Sequence, residues 1–295
     1  MTVFRNRVRI SFFLLLICLS FACFPSKKLT IGSTARLLED VAKASSKQSD
    51  LRLIRQGMPA FLILMDGMVE GWPQNERLLL AAAQGYASFA SVVMEDEEKG
   101  DARPLLEKGK DYALRALESR GLEDPVQSPF EVFGERVHRL GKEDVPYLFW
   151  GASCWGSWIG LNLDSMEALS RLPRVELMMG RVLQLEEGFY YGGAHLFMGI
   201  LQASRPKIGG GDLKKAQEHF LRALDLGQGK FLMTYVYYAD HYARRSLKKD
   251  LFISSLQKVL ETPADISPEL TLVNTVAKKK AKELLDRADE YFEED

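Results

Sequence analysis

Residues able to do chemistry are sparse in this chain. There are four histidines (His138, His195, His219, His241) and three cysteines (Cys18, Cys23, Cys154). No two histidines stand at H-x3-H or H-E-x2-H spacing, so a metal site would need long-range assembly. No serine-centred elbow and no Cys/His pairing is present. Gly209-Gly210-Gly211 lacks the Lys-Ser/Thr of a phosphate-binding loop and does not follow a strand, so it reads as a permissive interhelical loop capped by Asp212. No catalytic residue, metal or cofactor is assigned, and the chain reads as a binding protein, not an enzyme. The residues best placed to hold a ligand are aromatic. Tyr190, Tyr191 and two glycines stand beside His195, a pattern able to line a cleft around one polar anchor. The alternative is a hydrogen-bonded core histidine at a packed helix start. Trp155 and Trp158 face the same choice between cleft and core, and Tyr235 joins them as a candidate ligand contact.

The remaining reactive group is a thiol near the N-terminus. Arg5, Arg7 and Arg9 precede a short apolar run at 10–21, too short for a membrane span of about 20 residues. Ala22-Cys23 follows, which resembles the lipobox of bacterial lipoproteins, although Ser20 and Phe21 depart from its preferred residues. That resemblance implies residues 1–22 as signal peptide, Cys23 as a lipid anchor and 23–33 as a tether, on a periplasmic protein held at a membrane. An ordinary signal peptide cut near Ala22 is the alternative. Each buried methylene contributes about 0.8 kcal/mol, so two or three acyl chains would hold the protein almost permanently. Cys154 is then left without a partner, as a small buried hydrophobe. With 39 basic and 40 acidic residues, there is no electrostatic footprint for nucleic acid.

Helical periodicity dominates from residue 34 onward. A short helix at 34–45 precedes a longer one at 51–70, capped by Asp50, in which Pro59 predicts a kink or break near Gly57-Met58. Helices follow at 76–94 and from Pro104 to a stop at Gly121. A turn-rich stretch at 122–144 holds one short helix, 130–140, and marks an internal boundary between halves 34–124 and 142–295 of one domain, 34–295. The aromatic run 145–161 reads as a buried helix, with Gly156 and Gly160 admitting a neighbour closely. Helices at 172–186, 191–203, 212–226, 232–245 and 249–260 come next, and 269–292 closes the stack as a charged capping helix.

Ala216, Phe220 and Ala223 give the A-x3-F-x2-A spacing of the second helix in a tetratricopeptide (TPR) hairpin. The expected fold is therefore all-α, a TPR-like α-solenoid of stacked antiparallel hairpins. Met58-Pro59-Ala60-Phe61-Leu62, Trp72-Pro73-Gln74-Asn75, Phe149-Trp150-Gly151 and Trp155-Gly156-Ser157-Trp158 stand in that order, followed by Tyr190-Tyr191-Gly192-Gly193-Ala194-His195 and Gly209-Gly210-Gly211-Asp212. This set resembles the T component of TRAP (tripartite ATP-independent periplasmic) transporter systems over nearly all of the chain after the leader. Ser49-Asp50-Leu51 departs from the Asp-Pro step of related chains. The resemblance implies a periplasmic lipoprotein that forms a homotrimer, encloses a groove or pore, and docks the substrate-binding P component. A general TPR scaffold for envelope proteins is the rival reading.

Overall fold

The computed structural model describes residues 40–94 and 101–292. The signal segment, Cys23, the tether and the acidic turn at 95–98 lie outside the described residues, as does the start of the helix expected at 34–45, whose described part is helical at 40–46. The fold is all-α, with no strand among the described residues. Five helices build the first part: α1 (Leu51–Gly71), α2 (Glu76–Met94), α3 (Arg103–Glu118), α4 (Phe130–Arg139) and α5 (Val145–Gly160). After the short α6 (Met166–Ser170) come α7 (Leu172–Glu186), α8 (Phe189–Ser204) and α9 (Leu213–Leu226). Then α10 (Met233–Tyr237) runs into a π-helical segment (Tyr238–Ala243), followed by α11 (Lys249–Glu261), α12 (Thr271–Asp286) and α13 (Ala288–Phe292).

Local signals set many of these boundaries. Asp50 caps α1 by accepting from the N–H groups of Arg52 and Leu53, and Asp212 caps α9 through Lys214 and Lys215. Pro59 does not break α1, which runs unbroken from Leu51 to Gly71. The proline is exposed, so the carbonyl it leaves unbonded one turn back lies on the solvent side. Two other expectations differ from the structure. The segment 232–245 is split into a short α-helix and a π-helical turn, and 269–292 is broken at Arg287 into α12 and α13.

Antiparallel neighbours α2/α3, α3/α5, α5/α7, α8/α9 and α11/α12 form the stack. The close approaches rest on small residues. A Cβ at Gly151 would stand 2.4 Å from Leu117 Cδ1 and 2.9 Å from Met178 Cε, and one at Gly156 would stand 2.8 Å from Phe197 Cε2. Side chains there would force overpacking worth about 1–3 kcal/mol. α2 is the one described helix long and apolar enough to cross a membrane, and its buried Ala82, Ala83 and Ala90 pack inside the stack. Asp66 ties α1 to α2 and α3: it accepts from Tyr86 and Tyr112, each at 2.8 Å, and from Lys108 at 2.5 Å. At the far end α12 packs on α11 and also touches α1 and α2. The last long helix thus reaches back to the first hairpin, beyond its expected role as a cap.

Candidate functional site

Among the described residues, the longest run of left-handed backbone lies where α7 hands over to α8. Tyr190 (φ 47°, ψ 54°), Tyr191 (59°, 34°) and Gly192 (75°, 27°) form a left-handed run at the start of α8. Gly192 adopts this region freely, whereas each tyrosine costs about 1–2 kcal/mol there. Side chains from α5 and from the loop before α10 hold the turn. The Tyr190 ring centroid lies 5.0 Å from Trp150, 5.2 Å from Phe149 and 5.8 Å from Phe231. Tyr191 stacks on Phe231 at 6.0 Å, 18° from parallel. Aromatic pairs contribute about 0.5–1.5 kcal/mol each beyond burial, enough to offset the strain.

Gly193 completes the arrangement, because a Cβ there would meet Phe149 Cζ at 2.6 Å. The loop carrying Phe231 is pinned by buried Asn274, which accepts from Leu232 N–H and donates to the carbonyls of Lys230 and Ala264, each at 3.0 Å. Tyr191 donates to Glu269 Oε1 at 3.0 Å. The Tyr190 hydroxyl has no hydrogen-bond partner among the described residues, and burial pushes its pKa up to about 12. It is a neutral polar group set in a ring-lined wall.

His195 lies just beyond, in a different chemical setting. Its Nδ1 is 2.9 Å from His219 Nδ1 on α9, and its Nε2 is 3.2 Å from Glu187 Oε2. Arg222 grips the same carboxylate through Nη2 and, at 3.3 Å, through Nε. Arg222 first, then His195, holds the Glu187 carboxyl down at about 2. Burial, then the charge of His195, lowers the pKa of His219. With Glu187 ionised, the network assigns the His195 proton to Nε2 and leaves Nδ1 to accept from His219. The chain Arg222–Glu187–His195–His219 joins the α7–α8 corner to α9 and contains no serine, threonine, cysteine or lysine.

The other candidates lie apart. Trp155 is buried at 1% exposure in the core of α5. Trp158 is on the opposite edge of the stack, with Lys110 Nζ 4.1 Å above its ring. Tyr235 is half-buried beside Gly229, its hydroxyl 3.0 Å from where a Cβ would stand. The structure therefore gathers Tyr190 and Tyr191, places His195 within a few residues of them, and adds Phe149, Trp150 and Phe231. Among the described residues no group of three or more His, Cys, Asp or Glu side chains is arranged to hold a metal ion. Cys154 is buried, and burial pushes its thiol up to about 12.

The family model described as TRAP transporter T-component matches residues 47–292. The chain belongs to this family. As a T-component it is an accessory part of a TRAP transport system, and the match takes in every residue of the aromatic cluster. None of the curated proteins matches the chain.

His219 and Phe231 were not read from the sequence as partners of the site. The antiparallel register of α8 and α9 would have paired His195 with His219 across the Gly209–Gly211 loop. Phe231 had no such signal, because its loop is positioned by Asn274 from α12.

Proposed function

We propose that this T-component is a membrane-anchored periplasmic lipoprotein, acylated at Cys23, that docks the substrate-binding P component of its transporter and works as a homotrimer. The observation that carries the reading is the family match, which runs from just before α1 to α13. The anchor rests on Ala22-Cys23 behind a short apolar run. Within each protomer, Tyr190 and Tyr191, with Phe149, Trp150 and Phe231, are proposed as one wall of a cleft for an apolar or organic-acid ligand. His195 borders that wall, and Tyr235 is its neighbour on α10. Trp155 and Trp158 are assigned to packing on their positions.

Reciprocal co-purification tests the docking. The T-component and the P component should each retain the other when either is tagged, and failure in both directions would sink the proposal. Native mass spectrometry of the delipidated protein reads the trimer and any retained ligand in the same experiment.

A further inference from the structure

One edge of the stack carries the α8–α9 connection and the connection from the π segment to α11. Helices alternate in direction, so these two turns fall side by side. Contacts fix the edge: Arg205, which caps the end of α8, meets Glu176 near the start of α7 at 2.7 Å, and Ser204 meets His241 of the π segment at 3.3 Å. At the tips of the two turns stand Ile208, 100% exposed, and Leu247, 78% exposed.

Leu247 adopts φ +55°, a region that crowds a leucine's Cβ and in which a glycine would rest without strain. A helix C-cap sets this backbone, with Leu247 N–H donating to Arg244 O at 3.1 Å and Lys248 N–H to Ala243 O at 2.9 Å, and it leaves the side chain in solvent. The flanks are cationic. Across 205–215 stand Arg205, Lys207, Lys214 and Lys215 against Asp212, which is engaged in capping α9. Across 244–250 stand Arg244, Arg245, Lys248 and Lys249 against Asp250. Arg205, Arg244 and Lys249 have ion-pair partners, whereas Lys207, Lys214, Lys215 and Arg245 have none among the described residues. Leu163 and Met166 project from the same edge, but Asp164 and Glu167 flank them, so the positive surface is confined to the two later turns.

We propose that Ile208 and Leu247, ringed by Lys207, Lys214, Lys215 and Arg245, seat this edge on an anionic lipid bilayer. Two isolated aliphatic tips are too small for the apolar centre of a stable protein interface. They suit insertion into the headgroup boundary, with the surrounding cations on lipid phosphates. The seating would orient the stack independently of any acyl chain on Cys23, so it does not rest on the anchor reading.

The test uses the chain from residue 24 onward, which omits the apolar leader and Cys23 but keeps the whole matched span 47–292. Flotation should show partition into vesicles of equal parts phosphatidylcholine and phosphatidylglycerol, and none into phosphatidylcholine alone. Lys214→Gln and Lys215→Gln should each weaken partition about five-fold at low salt, as expected for one basic side chain near an anionic surface, and added salt should act the same way. An Ile208→Trp reporter should shift its emission to the blue on anionic vesicles. Leu247→Gly should weaken partition while raising the thermal midpoint, which separates lost binding from lost folding. The proposal is overturned by absent partition, by equal partition into neutral vesicles, or by partition unchanged in the Ile208→Ser/Leu247→Ser double variant. Loss of P-component binding in that variant with vesicle binding intact would also overturn it and reassign the edge to protein docking.

Discussion

Tyr190 and Leu247 occupy the same left-handed backbone region on opposite edges of the stack, and only one of them is packed. Tyr190, at φ 47°, has three aromatic rings within 6 Å of its own besides that of Tyr191. Leu247, at φ 55°, is 78% exposed. In the first case tertiary packing accounts for the conformation, so strain alone does not show that a ligand is needed to hold the turn. In the second a helix C-cap accounts for it, with Leu247 N–H donating to Arg244 O at 3.1 Å and Lys248 N–H to Ala243 O at 2.9 Å, and the side chain is left in solvent. Backbone strain becomes informative about function only after the compensating contacts have been named.

The largest effect should come from removing the packing that holds the tyrosine turn. Phe149 touches Trp150, Phe189 and Tyr190 and is 4% exposed. Phe149→Ala is expected to destabilise by about 3–5 kcal/mol in chemical denaturation. A loss below about 1 kcal/mol would mean that the rings do not hold the turn, and the contrast with Leu247 would collapse. The next test inverts a familiar order. Alanine stabilises a helix over glycine by about 1 kcal/mol, but at position 190 the φ of 47° should make Tyr190→Gly more stable than Tyr190→Ala by about 1–2 kcal/mol. Equal midpoints for the pair would show that the backbone at 190 relaxes once the ring is gone.

What could be read from the chain follows the range of the forces. Asp50 and Asp212 announce helix starts because a cap acts within three residues. Ala216, Phe220 and Ala223 announce the repeat because they recur on one helical face, and all three are buried. The tyrosine turn had no local signature. Two adjacent tyrosines have no preference for left-handed backbone, and their partners come from a distant helix (Trp150) and a distant loop (Phe231). The π-helical segment was equally hidden. Its stripe of Tyr235, Ala239 and Tyr242 fits an α-helix, and the wider turn shows only in packing such as the Tyr238–Tyr242 stack at 5.1 Å. The reach of α12 back to α1 and α2 is longer-ranged still.

On the unpacked side the expected change is smaller and of opposite sign. Leu247→Gly should stabilise by about 1 kcal/mol through relief of strain, and Leu247→Ala should be close to neutral, since it keeps the strain and gives up little burial. Thermal melts of the two variants against the parent read the difference. A destabilised Leu247→Gly would show that this leucine has packing value after all.

The smallest effect concerns the histidine pair beside the tyrosine turn. The folded pKa of His219 lies below its usual value because burial disfavours its charged form. The unfolded chain therefore takes up more protons near pH 6.5, and stability should fall as pH drops from the unfolded value through the lowered folded one. The depressed carboxyl of Glu187 acts in the same direction at lower pH: its contribution is present above the ordinary glutamate value of 4.5 and is lost as pH falls through about 2. The histidine window opens at the higher pH, and burial lowers His241 as well as His219, so His219→Gln should reduce the loss of stability below pH 6.5 without abolishing it, and should leave the decline below pH 4.5 in place. If the loss below pH 6.5 is unchanged in His219→Gln, His241 carries it, and the histidine contact between α8 and α9 is not what makes that corner sensitive to acid.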